Sequence, residues 1–475
     1  MANERTAGPL ASVAAVERSN PFATGLVVIY TFLVISRIFE FQAFWIFSVM
    51  RPVLVTSLLG LAVAFLTGGL IRELKSWPAV LLILFTGWIM LATLTSAWPG
   101  GSARMLKDLW AGSLAAFLVI AGLVVTFQQL RKTVAAVAVA VVVAALLTKG
   151  LGQIVADRFS LAVGTFGNAN ELAFILLFGA PLCIYCMMEA GIVRGVLWIG
   201  GLGPLVYTVI LTASRGGLVI LAVLLLMMLL KFSWMNRLKV VIAGLIIAGA
   251  LAVAPRALQE RYQTILMSNE DVDNPVAASA MESRESRIVL LRESLAITMQ
   301  HPLFGGGPGL FPVVQDNYAR SQGERGMWRQ THNAYTQISS ECGIPALVLF
   351  LAALIWNWRT LGRVGRGARE SGNLKIGNLA FCLSMSLVAF SVCCLFDSIA
   401  YQYYLPVLLA LTLSLEQSTK QMLTRGAVVP SAVGAASLPG APWAMAPRKN
   451  FPERPNSLGR PGVAPAPRAR ARRGA

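Results

Sequence analysis

Charged residues are scarce in this sequence. Asp, Glu, Lys and Arg make up 13% of it, against roughly 25% in soluble domains. The apolar share is 56% and the mean hydropathy is +0.66. No soluble core hides that much apolar surface, so the bilayer must be the solvent for most of the chain. Histidine occurs only twice, at His301 and His332. No group of Asp, Glu, His or Cys has metal-ligand spacing, so neither a metal nor a cofactor is expected; Asp271 and Asp273 stand alone in a polar stretch and read as solvated loop. The run Gly305-Gly306-Gly307-Pro308-Gly309 lacks the Lys-Ser/Thr of a nucleotide-binding loop and reads as a turn rather than an anion nest. Of six cysteines, Cys183 and Cys186 form a C-x-x-C, but inside an apolar run where i and i+3 share a helix face; packing is expected there, not redox or zinc chemistry.

What is present is an all-α polytopic membrane protein. Apolar runs near the ~20 residues that cross a bilayer fall at about 22–40, 52–70, 77–96, 109–127, 133–148, 171–188, 196–212, 217–231, 239–254, 343–358, 377–396 and 404–415. That predicts about 12 transmembrane helices, with one large extracytoplasmic loop, 256–331, between spans 9 and 10. The domain plan is a cytoplasmic segment 1–21, a membrane domain 22–415 and a tail 416–475. Residues 37–51 read as an interfacial connection in which Arg37 and Glu40 pair at i, i+3.

The net charge of +18 reflects topology, since no basic face with interleaved aromatics suggests nucleic acid. With the N-terminus inside, the short inner segments hold fifteen Lys/Arg and the short outer connections seven, as the positive-inside rule requires. The long loop carries eight Lys/Arg and nine Asp/Glu and faces outward. The tail, with ten Lys/Arg against two Glu and much Pro, Ala and Gly, cannot bury a core and reads as disordered. Both termini are expected in the cytoplasm of a bacterial cell, with the spans in its inner membrane.

The candidate chemistry gathers where the long loop ends. His332-Asn333 precedes an apolar span, and on a continuing helix His332, Thr336 and Ser339 or Ser340 share one face, a polar strip expected at the membrane surface. His332 is either a capping residue or a general base for a hydroxyl. Arg215, in the turn LTASRGGLVI, either snorkels or grips a phosphate with its guanidinium fork. In Glu282–Gln300, Ile288, Leu291, Leu295 and Met299 recur at helical spacing with Arg284 and Arg287 on a polar side. That is the pattern of a helix lying on a membrane, or of solvated charge. His301, before Pro302, shapes a turn.

Three stretches together resemble the O-antigen ligase/polymerase family of bacterial surface-polysaccharide enzymes: VGTFGNANELAFIL at 163–176, SRGG at 214–217, and HPLFGGGPGLF through HNAYTQISSECGIPA. The family's loop signature is His, then Asn, Ser or Gln, nine residues, Gly, two residues, and Gly, Thr or Tyr. His332, Asn333 and Gly343 match it, with Ala346 in the last place. The resemblance implies transfer of a glycan from undecaprenyl pyrophosphate to an acceptor sugar hydroxyl, such as that of a lipid A-core, outside the inner membrane. His332 would be the base. Arg215, with Arg287 and Arg284, would bind the pyrophosphate, Asn333 and Gly343 would support the site, and no metal would be needed. A single large outer loop favours a ligase over a polymerase extending lipid-linked repeat units. A 12-span transporter is the rival from another class, but no half-to-half similarity is found.

Overall fold

The computed structural model describes residues 20–41, 51–155, 158–161, 164–231, 234–254, 256–263 and 275–427. Two expectations, the solvated Asp271 and Asp273 and most of the N-terminal segment, lie outside them. The described chain is helical, apart from a hairpin of Gln153–Val155 (β1) against Arg158–Ser160 (β2).

Each predicted apolar run coincides with a helix. These are α1 (Pro21–Ser36), α2 (Pro52–Leu66) with a short α3 (Gly69–Leu74), α4 (Trp77–Leu94), then α5 (Pro99–Met105), which passes through a π-turn, Leu106–Trp110, into α6 (Ala111–Leu123). They continue as α7 (Phe127–Leu151), α8 (Ala169–Met188), α9 (Ile192–Leu211), α10 (Arg215–Lys231) and α11 (Trp234–Ala252). Among the described residues seven helices are long and apolar enough to cross a membrane, and the protein is a membrane protein on that ground. Of these seven, α8 is the most buried: 72% of its apolar window is covered, against 17% for α9. Helices α7 and α9 pack on α8, and small residues let them approach; a Cβ on Gly179 would lie 2.4 Å from Val141.

The long loop is mostly helical: α12 (Arg256–Gln263), α13 (Pro275–Gln300) and α14 (Phe311–Ser321). It is followed by α15 (Ala334–Glu370), α16 (Leu374–Cys393) and α17 (Tyr404–Ala427). The last helix runs past residue 416, and there Glu416 pairs with Arg363 at 2.7 Å and Lys420 at 3.0 Å. Residues 428–475 lie outside the described chain.

Helix α15 is broken at Gly343, whose φ of 82° and ψ of 174° leave the helical region. Here glycine is required, since a Cβ would sit 2.0 Å from the Leu303 carbonyl oxygen. Ile344 N–H donates to the Pro302 carbonyl at 2.7 Å, so the loop crosses the helix at its kink.

The glycine run has a use that its composition alone concealed. Gly309 and Phe311 N–H groups donate to the buried Glu341 carboxylate at 2.9 and 3.1 Å. Gly306 and Gly307 N–H groups donate to the Ser340 and Glu341 carbonyls. The turn is therefore an anion nest for the protein's own carboxylate. The polar strip at 336–340 is likewise covered rather than surface-facing: Thr336, Ser339 and Ser340 are buried, and the Ser339 hydroxyl meets that of Thr298 on α13 at 2.9 Å. These side chains are polar because a polar-backed loop docks on them.

Candidate functional site

Asn333 caps α15, its Oδ1 accepting from the N–H groups of Tyr335 and Thr336 at 3.0 and 3.1 Å. The residue before the cap is His332, with a left-handed φ of 50°, uncommon for a non-glycine residue. The connection between α16 and α17 holds it there. The Ser398 hydroxyl accepts the His332 N–H at 2.9 Å and bonds the Thr331 hydroxyl at 2.9 Å. Ala334 N–H donates to the Cys394 carbonyl at 2.7 Å.

This geometry turns His332 toward a cavity of about 410 Å³ that Arg215, Arg284, Arg287 and Asn333 also line. Val219, Ile288, Leu291, Leu395 and Phe396 supply its apolar wall. Four stretches remote in sequence thus meet at one end of the helices: the start of α10, the middle of α13, residues 331–333, and residues 395–398. The apolar stripe of α13 faces the cavity and the outside. Ile288, Leu291, Leu295 and Met299 are exposed, while Leu290, Ser294 and Ile297 on the opposite side are buried.

Arg215 is the first residue of α10. The Ser214 hydroxyl accepts from Gly217 N–H at 3.1 Å and donates to the Asn170 Oδ1 at 2.9 Å. Asn170 also accepts from Arg158 at 2.6 Å. The glycines bring walls together: a Cβ on Gly217 would meet Ala173 at 3.0 Å, and one on Gly216 would meet Phe396 at 3.4 Å. The start of α10 and three arginines give the cavity a cationic lining.

Burial and the nearby Arg287 and Arg329 guanidinium groups push the His332 imidazole down to about 4, so it is neutral at pH 7. Its Nδ1 is buried without a hydrogen-bond partner among the described residues. Beneath the cavity lies Asp397, which shares a small crevice with Arg287, Asn170 and Ser214. Burial raises its carboxyl, against the lowering pull of Arg287 and Arg158. Its Oδ1 accepts the Ser398 N–H at 2.9 Å.

Of the residues singled out by sequence, His332, Asn333, Arg215, Arg284 and Arg287 line the cavity. Gly343 stands away from it, at the helix break, and His301 is exposed outside it. Arg158, Asn170, Asp397 and Ser398 were missed. Asn170 lies within GNAN, and an Asp in a chain with 22 acidic residues was the available signal for Asp397. Among the described residues, no three His, Cys, Asp or Glu side chains come together as a metal site.

The fold and cavity define a polytopic membrane protein with a cationic, histidine-bearing pocket at one end of its helices. The profile of the O-antigen ligase family matches residues 200–351, which supports the resemblance: the SRGG turn and the run from His301 to Ala346 fall inside the match, and the stretch 163–176 falls outside it. The matched stretch contains Arg215, Arg284, Arg287, His332 and Gly343, while Asn170 and Asp397 fall outside it. The matched family points to glycan transfer of the ligase or polymerase type. No curated protein matches the chain.

Proposed function

We propose that the protein transfers a glycan from undecaprenyl pyrophosphate to a sugar hydroxyl of a lipid A-core, at the periplasmic face of the bacterial inner membrane. The observation that carries this reading is the convergence of His332 with Arg215, Arg284 and Arg287 on one cavity whose remaining wall is apolar. An amphipathic donor, with a charged pyrophosphate on a polyprenyl chain, has the chemistry of that lining.

In the reaction the acceptor oxygen attacks the anomeric carbon of the donor sugar. The bond from that carbon to the pyrophosphate oxygen breaks, and the configuration inverts. His332 takes the acceptor hydroxyl proton; neutral at pH 7, it is already able to do so. The three arginines bind the pyrophosphate and neutralise the charge that grows on its leaving oxygen. The donor is already activated, so neither nucleotide nor metal is called for. The twelve-span topology with both termini inside, supported by the fifteen-to-seven asymmetry of Lys/Arg in the short connections, would put this cavity on the periplasmic side of the inner membrane.

The test is transfer by purified protein in lipid nanodiscs, with a radiolabelled undecaprenyl-pyrophosphate glycan and a lipid A-core acceptor. Labelled core should form with wild type and not with His332→Ala. If the label instead accumulates as longer lipid-linked glycan, the activity is polymerisation; if neither product forms under donor saturation, the reading fails.

A further inference from the structure

Among the described residues five that are not glycine have a positive φ: Arg37, Arg51, Ala213, Trp328 and His332. Three of these stand in segments that build the site. Ala213 is two residues before Arg215, and Trp328 is four before His332. A left-handed φ is least expected in a bulky aromatic, yet Trp328 holds one of 53°. Such strain persists only where the surroundings over-determine it, and it gathers at functional sites.

The neighbours of Trp328 do the holding. Met327 N–H donates to the Gln315 Oε1 at 2.9 Å, and the Gln315 amide donates in turn to the Glu293 carboxylate on α13 at 3.0 Å. Arg329 donates to the Ser286 hydroxyl, also on α13, at 3.2 Å. Gly326 is pressed onto α14, where a Cβ would lie 2.5 Å from the Asp316 Cα. The backbone on both sides of Trp328 is thus tied to α13 and α14. The indole itself is 60% exposed, so burial of its ring does not repay the strain.

Exposed tryptophans of membrane proteins commonly anchor at the bilayer interface. Trp77 fits that role, since it opens α4 and is followed by the apolar run PAVLLILF. Trp328 does not: it lies outside any helix, between Arg325 and the pair Arg329-Gln330, all of them exposed. A rigid aromatic face fringed by guanidinium and amide donors suits a sugar. The C–H face of a pyranose lies against the electron-rich face of the indole, and the donors meet its hydroxyls. Four residues span at most about 14 Å, so a short saccharide with one end at His332 reaches Trp328.

We propose that Trp328 is a sugar-stacking residue that positions the acceptor saccharide beside His332 and makes transfer selective for it. The assignment rests on the glycan-transfer reading for which saccharide arrives there, but its test includes a binding measurement that needs no turnover. Binding of deacylated lipid A-core oligosaccharide to the full-length protein in nanodiscs is measured for wild type, Trp328→Phe, Trp328→Leu and Trp328→Asn. Donor and acceptor KM values from the transfer assay are measured alongside. Asparagine tolerates the left-handed conformation, so Trp328→Asn should melt no lower than wild type.

Trp328→Leu and Trp328→Asn should each weaken oligosaccharide binding and raise the acceptor KM about tenfold, the size of one aromatic contact. The donor KM should stay within about twofold of wild type. Trp328→Phe keeps an aromatic face and should keep most of the affinity. Leucine serving as well as tryptophan overturns the proposal, because an apolar anchor would then suffice. So does an equal rise in both KM values, or a wild type that does not bind the oligosaccharide. A much lower melting temperature for Trp328→Asn would make the indole a packing residue and overturn it too. The two readings fail separately. Product formed by Trp328→Leu at an unchanged acceptor KM leaves glycan transfer standing without this residue; saccharide bound through Trp328 with no product formed does the reverse.

Discussion

Ser398 and His332, 66 residues apart, are joined by a 2.9 Å bond from the histidine N–H to the serine hydroxyl. The bond fixes the backbone rather than the imidazole, and it holds a φ of 50° that costs of order 1–3 kcal/mol in a non-glycine residue. The proposed base is thus aimed from outside its own loop.

Ser398→Ala should lower the transfer rate about five- to tenfold, in line with roughly 1 kcal/mol for one hydrogen bond. Membrane insertion should be normal. Wild-type turnover in that variant would mean that the Ala334–Cys394 contact alone suffices.

Arg215→Ala and Arg287→Ala should each abolish transfer with protein level unchanged. Arg215→Lys should recover little, because an ammonium does not reproduce the fork that grips two phosphate oxygens. In vivo core glycosylation decides; full recovery by lysine would reduce Arg215 to a point charge.

The pH dependence follows from the burial of His332 and from the arginines beside it. In the free enzyme the imidazole is held at about 4, so kcat/KM should stay level from neutral pH down to about pH 5 and fall below that. Bound pyrophosphate counters Arg287 and Arg329 and favours the protonated imidazole, raising its pKa. The acid limb of kcat should therefore lie at higher pH than that of kcat/KM. Coincident limbs would show that the donor's phosphates do not sit beside His332.

Gly343→Ala places a Cβ 2.0 Å from a carbonyl oxygen at a φ of 82°. A cost on the order of 2–4 kcal/mol is expected, seen as loss of monodisperse protein after detergent extraction. Unchanged thermal stability would mean that the loop can leave the kink freely.

Reporter fusions after Asp271 and after Gly367 should read outside and inside respectively. The same side for both would refute the span count between them.

The helices and most of the cavity were legible because hydropathy marks spans and because rare residues stand out against them. His332, Arg215 and the two α13 arginines are conspicuous in a chain with so little charge. Asp397 and Ser398 were not, since a side chain that holds a backbone 66 residues away leaves no periodicity or spacing to read. The same holds for Glu341 and the glycine run. Each looks ordinary alone, and only their contact reveals why a carboxylate is tolerated beside an apolar span.

The docking of α13 and α14 on a helix that follows them has a consequence for biogenesis. During synthesis the long loop is made before α15 exists, so it waits without the Ser339 and Glu341 anchors. His332 in turn takes its position only once the turn after α16 supplies Ser398. The cavity therefore closes last, when nearly the whole chain has been inserted, and a nascent protein should have no pocket in which a donor lipid can lodge prematurely.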